Sequence, residues 1–336
     1  MFNEPNATLP FVVIPLFEYF GSPSMGSVTV NGTAVGVSVV FLPGVPALEE
    51  LLQLYAGRAD LQSMFPGAAS GNTSALVSLV GWASEVVSGQ VVDPAYDQLA
   101  APDVGYYYAL MGVYNARADV QAAFPNATTD PTSYQSLLWW AGQVVAGTFP
   151  DSARTTLDPW AAAYDLFAVY VSRPDLQSAF PYAPFNLTSA SALVDWAGGV
   201  VLESYPDSAL ATLTPYGYWY VLLMVYNGRS DLQSAFPGVW SNESAFVDLA
   251  NWAGAAVNGT FYDSSQSTLA PFGYWYVLMW VYNGRADLQV AFPDAASNGS
   301  SYQALLVWAN DVVTAVFSDS SYSTLLPYAS QYETYG

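Results

Sequence analysis

From residue 46 to the C-terminus, one arrangement of apolar and polar positions keeps returning. An apolar stretch such as 219–226 is followed by a short polar break and then by Arg-x-Asp-Leu/Val-Gln-x-x-Phe-Pro. After that comes a run whose apolar positions fall three and four residues apart. In the fourth such run these are Phe246, Leu249, Ala250, Ala253 and Val257; in the fifth, Tyr302, Leu305, Leu306, Ala309, Val312 and Val313; in the second, Tyr134, Leu137, Leu138, Ala141, Val144 and Val145. That spacing puts each set on one face of an α-helix. The pattern therefore predicts a helix, a short helix and a third helix per unit, over 216–226, 229–236 and 243–257 in the fourth. Pro215 sits in the first helical turn, Asn227-Gly228 supplies a stop, and Pro237 ends the short helix. Asp-Ser…Thr-Leu-x-Pro then leads into the next unit.

The motif begins at Arg58, Arg117, Arg173, Arg229 and Arg285, at separations of 59, 56, 56 and 56 residues. A Tyr precedes each Arg by three residues, and a Trp follows it by 23 or 24. A fixed period of this length marks stacked supersecondary units. The predicted fold is mainly α: five helical repeats of about 56 residues over 46–318, stacked as an α-solenoid. Residues 319–336 repeat the linker and start a sixth first helix, with Tyr332 falling 56 residues after Tyr276. They are read as a partial repeat that serves as a cap or as an assembly surface.

The first 45 residues follow another rule. β-Branched runs flank Asn31-Gly32, the strongest short-range signal for a two-residue hairpin. Before them Phe11, Val12, Val13, Ile14, Leu16 and Phe17 form an apolar extended arm in which Pro10 and Pro15 forbid a helix. Such an arm suits pairing with a neighbour's sheet edge; the alternative is a β-cap on the first repeat. No basic segment followed by an apolar run opens the chain, so no signal peptide is visible.

Composition narrows the chemistry. The 336 residues contain no Cys, no His and six cationic side chains, all Arg, five of them in the motif. Thiolate and imidazole chemistry are thereby excluded, and the lack of Lys removes Schiff bases and a Walker-type phosphate loop. A net charge of −21 argues against nucleic acid as a partner. No apolar run approaches the roughly 20 residues that span a bilayer, so membrane insertion is not expected. No cofactor is expected.

Five copies of a catalytic centre would be unusual, whereas five copies of a structural clamp are what a repeat array produces. The pairs Arg58/Asp60, Arg117/Asp119, Arg173/Asp175, Arg229/Asp231 and Arg285/Asp287 are assigned that role. The Arg fork is expected on helix-end carbonyls or on a carboxylate of an adjacent layer, with the Asp in the first turn of the short helix. The copy from Arg173 to Pro181 resembles the Arg-Pro-Asp-Leu-Gln-x-Ala-Phe-Pro segments that accompany some bacterial glycosyltransferases. The likeness covers about ten residues per unit and implies a helical module; no nucleotide-sugar domain is present, and no catalytic residue is carried over.

Asn-x-Ser/Thr occurs at Asn6, Asn31, Asn72, Asn126, Asn186, Asn242, Asn258 and Asn298, eight of the fourteen Asn. Five of these recur once per unit, ahead of the third helix. Asn is also a good helix N-cap, but capping requires no sequon and accounts for neither Asn6 nor Asn258. N-glycosylation is the expected reading, which implies exposed loops outside the cell. In composition and sequons the chain resembles glycosylated extracellular fibril and surface-layer proteins. Two functions follow. The first is a non-enzymatic extracellular or cell-surface structural subunit that carries N-linked glycans and assembles with copies of itself into a fibril or layer. The alternative is a carbohydrate-binding or carbohydrate-hydrolysing α/α protein with an aromatic-lined groove and two carboxylates. The acids outside the motif (Asp103, Asp165, Asp195, Glu203, Asp248, Asp311) show no spacing that selects a pair.

Overall fold

The structure is a computed structural model that describes residues 26–30, 33–37, 45–70, 72–128, 130–293, 295 and 299–335. It is mainly helical. Two short strands, Gly26–Val30 and Thr33–Val37, run antiparallel with Val28 opposite Val35. The apolar arm, the hairpin turn and Asn298 lie outside the described residues.

Each unit opens with a first helix: Val45–Gly57, Gly105–Ala116, Ala161–Ser172, Gly217–Asn227 and Gly273–Asn283. A six-residue helix follows at Ala59–Met64, Ala118–Ala123, Pro174–Ala179, Ser230–Ala235 and Ala286–Ala291. The long helices are Thr73–Val87, Pro131–Val145, Leu187–Val201, Glu243–Val257 and Gly299–Val313. In the fourth unit the expected 243–257 is met at both ends. The linker adds a one-turn helix, Leu210–Leu213 in the third unit, which continues into a 3-10 turn at Thr214–Tyr216.

The first helices of the fourth and fifth units stop where expected, with Gly228 and Gly284 as C-caps. Gly228 and Gly284 keep ordinary right-handed dihedrals, φ −77° and −80°. The break falls at the next residue, where Arg229 and Arg285 turn extended. The left-handed stop belongs to the long helices instead, at Gly89, Gly147, Glu203, Gly259 and Ala315. Glycine adopts that conformation without strain; Glu203 and Ala315 do not.

Two devices join the units. A buried Tyr on each first helix donates its hydroxyl to a carbonyl on the preceding one: Tyr108 to Ala47, Tyr164 to Tyr106, Tyr220 to Ala162, Tyr276 to Tyr218 and Tyr332 to Tyr274. Tyr164 is wholly buried, so its 2.6 Å bond satisfies a hydroxyl that water cannot reach. The long helices of the second, third and fourth units also pack closely on the next first helix through a glycine. A Cβ at Gly142 would meet Ala168, at Gly198 it would meet Met224, and at Gly254 it would collide with the Tyr276 carbonyl oxygen and the Trp280 side chain. A second glycine set on the first helices receives aromatic rings, with Trp160 lying on Gly105 and Phe272 on Gly217.

The chain also meets itself between units that are not neighbours. The Asp103 amide donates to the Trp240 carbonyl at 3.1 Å, and Ser244 Oγ donates to the Asp97 carboxylate at 2.9 Å. Between the adjacent second and third units, Tyr106 donates to the Pro184 carbonyl at 3.1 Å. The second unit's entry thus faces the third and fourth units, and a cleft opens between them.

Candidate functional site

Each residue of the recurring motif has a defined partner. Arg58 donates through Nε and Nη2 to both oxygens of Asp60, and the other four arginines repeat this with the Asp two residues on. Nη1 reaches a second carboxylate 34 or 35 residues later: Asp93, Asp151, Asp207, Asp263 and Asp319. These belong to the linker after the long helix. Each also accepts a backbone N–H two residues on, from Ala95, Ala153, Ala209, Ser265 and Ser321. The expectation of helix-end carbonyls or a neighbouring layer is therefore corrected: the fork ties the short helix to the linker of its own unit. A planar guanidinium matches two carboxylates better than scattered carbonyls.

The inner and outer members of this clamp differ in solvent access. The linker carboxylates keep 10 to 16% of their side-chain surface exposed, against 55 to 67% for the motif carboxylates, so the linker pair is the less screened. The bond from Arg58 holds Asp60 down to about 2, and Asp119 and Asp175 behave alike beside Arg117 and Arg173. Four guanidinium groups also lie over the downstream indole, Arg229 at 5.6 Å from Trp252 and Arg58 at 6.0 Å from Trp82.

The helix-end carbonyls are met by the motif Gln. Gln62 Nε2 donates to the carbonyls of Tyr55 and Ala56, and Gln121, Gln177, Gln233 and Gln289 do the same in their units. The motif Leu or Val is buried in every unit. In the first, second, fourth and fifth units the preceding Tyr donates to the Phe carbonyl, as in Tyr226 to Phe236 at 3.1 Å.

Among the described sequons, Asn72, Asn186 and Asn242 are N-caps whose side-chain oxygens accept from Ala75, Ser189 and Ala245. That use occupies Oδ1, whereas a glycan attaches at Nδ2. Asn126 is exposed with φ 62°, and the cap of its long helix is Asp130 instead. Asn258 is a half-buried C-cap. Asn6, Asn31 and Asn298 fall outside the described residues.

The cleft collects residues the motif did not announce. Two hollows share Pro102, Ala163 and Trp219 in their walls. One is lined by Asp103, Tyr106, Asn186 and Trp240, the other by Asp158, Trp160, Tyr218, Glu243, Trp275 and Asn283. Asp103 Oδ1 and Glu50 Oε2 are buried without a hydrogen-bond partner. Burial, together with the charge of Glu50, pushes Asp103 up to about 8, and burial alone raises Glu50 to about 7. Burial disfavours the ionised form of both carboxyls, and the charge of Glu50 adds to the effect on Asp103. Asp165, also buried, rises to about 7.

Sequence reasoning named Asp103 and Asp165 without linking either to a partner, and it passed over Glu50. A signal was there: in the register of Glu50 and Asp165 the second, fourth and fifth units place Ala109, Val221 and Val277. Among the described residues no cluster of three or more acids could hold a metal ion, and no helix is long and apolar enough to cross a membrane. Compared with family models, curated proteins and solved structures, the chain matches none.

Proposed function

We propose that the chain is a non-enzymatic, extracellular structural protein, a glycosylated subunit that polymerises with copies of itself into a fibril or surface layer. In this reading the five units stack as an α-solenoid, residues 1–45 form a β-rich arm and hairpin, and 319–336 cap or continue the stack. One observation carries it. Five copies of the motif make five copies of the same internal fixture, with Arg, Asp, Gln and Tyr each spent on holding helices together. A recurring motif whose polar side chains are engaged within the chain reads as architecture.

Surface chemistry supports the assembly part. Phe149, Tyr205, Phe261 and Phe317 recur every 56 residues and each keeps more than a third of its surface exposed, while Tyr262 is 90% exposed. Such a periodic apolar edge suits contact between copies, and an end-to-end contact that does not close generates filaments. Capping through Oδ1 leaves the Asn72, Asn186 and Asn242 nitrogens as acceptors for N-linked glycans, which would keep so uncharged a surface soluble.

Negative-stain imaging of the purified chain tests the reading: uniform filaments are expected, and monodisperse globules at every concentration would overturn it. Deleting residues 2–20 should leave the helical signal intact while abolishing filaments. An intact mass equal to the bare 36.1 kDa chain would remove the glycan from the account.

A further inference from the structure

The geometry points to a second property, independent of assembly: the cleft between the second, third, fourth and fifth units is a binding site for a neutral carbohydrate chain. Its walls combine the two surfaces a sugar presents. Trp160, Tyr216, Tyr218 and Trp219 are partly exposed there, with Tyr218 stacked on Trp275 at 4.2 Å, and they supply aromatic wall of the kind that the apolar C–H face of a pyranose packs on. Trp219 borders both hollows and is therefore the ring common to the two.

Hydroxyl partners stand between the rings. Asp158 lies in one hollow and Asp103 in the other, the latter with a buried oxygen that no protein group meets. Asn283, in the wall of the same hollow as Asp158, donates its Nδ2 to Asn251 at 2.7 Å and so adds an amide to the lining. A site of ring faces, acceptors and amides matches neutral hydroxylated ligands.

Charge removes the competitors. The chain has no Lys or His, and Arg154, near Asp158, is bonded to it at 3.4 Å, which makes an anionic ligand the weaker fit. Burial and the charge of Glu50 raise Asp103 to about 8, which weakens its pull on a cationic ligand near neutrality. Two sources supply the sugar. Asn186 is itself a sequon in the wall of the first hollow, so a glycan attached there could occupy the cleft, and a separate polysaccharide would bring the same chemistry.

The test is calorimetry and tryptophan fluorescence on the full chain titrated with maltopentaose, mannopentaose and chitopentaose, with hexyltrimethylammonium as the cationic comparator. At least one oligosaccharide is expected to bind, and Trp219→Ala to weaken that binding about tenfold. Asp158→Asn is a second variant expected to weaken it should Trp219→Ala unfold. Phe261→Ala, on the outer edge, should leave it unchanged. If the Asn186 glycan is the occupant, Asn186→Gln will bind the free oligosaccharide more tightly than the glycosylated parent; if the source is external, the two will bind alike. The proposal is overturned if none of the three sugars binds up to about 10 mM. It is equally overturned if the ammonium compound binds and they do not, or if a folded Trp219→Ala or Asp158→Asn variant binds as the parent does.

Discussion

The clamp edge and the inner cleft are built from the same repeat and obey opposite rules. Along the clamp, five arginines make five nearly identical sets of bonds, differing by one residue of spacing in the first unit. In the cleft the units differ. The turn before the first helix carries Asp103 and Val104 in the second unit, where the third, fourth and fifth carry a single Trp160, Tyr216 or Phe272. Repetition marks what holds the layers; departure from it marks where the molecule can do something local.

The comparison breaks most sharply at the glycine seam, which belongs to the repeated part. Gly254→Ala places a methyl group against a backbone oxygen that cannot rotate away, so a loss of about 3 kcal/mol is expected in denaturant unfolding. Tyr220→Phe removes the hydroxyl that bonds the Ala162 carbonyl at 2.7 Å, and should cost about 1–2 kcal/mol. Neither change should alter which oligosaccharide the cleft accepts.

The cleft is tested by pH. Asp103, Glu50 and Asp165 bind protons more tightly when folded than when unfolded. Their contribution is complete below the ordinary carboxylate pKa and is lost as pH rises through about 7 to 8. The clamp carboxylates act in the opposite sense: with Asp60, Asp119 and Asp175 held near 2, their contribution is present above the ordinary value and lost as pH falls toward 2. The melting temperature is therefore expected to peak near pH 4–5 and to decline toward pH 8. Asp103→Asn should flatten that alkaline decline, because it removes the titrating group while nearly keeping its shape; an unchanged slope would remove the buried pair from the account. The smallest effect expected is a gain. Glu203→Gly and Ala315→Gly relieve left-handed backbone at φ 52° and 59°, and each should add about 0.5–1 kcal/mol.

What could be read from the sequence divides along the same line. The long helices and the motif were legible because 56-residue recurrence and three-four apolar spacing are local signals, and Glu243–Val257 ends where Asn242 and the following polar residues say it should. The partner of the Arg fork was missed because it lies 34 residues on, in a linker whose Asp reads equally well as a turn residue. The Tyr ladder joins residues 58 apart in four of its rungs, one period plus two, and so was hidden inside the repeat. The cleft was not legible at all: nothing in a linear period states that Asp103 will meet Trp240 or that Asp97 will meet Ser244. Those contacts depend on the angles at which successive helices pack, which no local signal states.

The claim that the motif is architecture is tested most directly by equilibrium unfolding of five single variants, Arg58→Lys, Arg117→Lys, Arg173→Lys, Arg229→Lys and Arg285→Lys. Lysine keeps the charge and loses the fork, so each should cost about 1 kcal/mol, with all five agreeing within about 0.5 kcal/mol. One arginine whose replacement leaves stability untouched while abolishing assembly or sugar binding would show a functional site among the five, and would contradict the account.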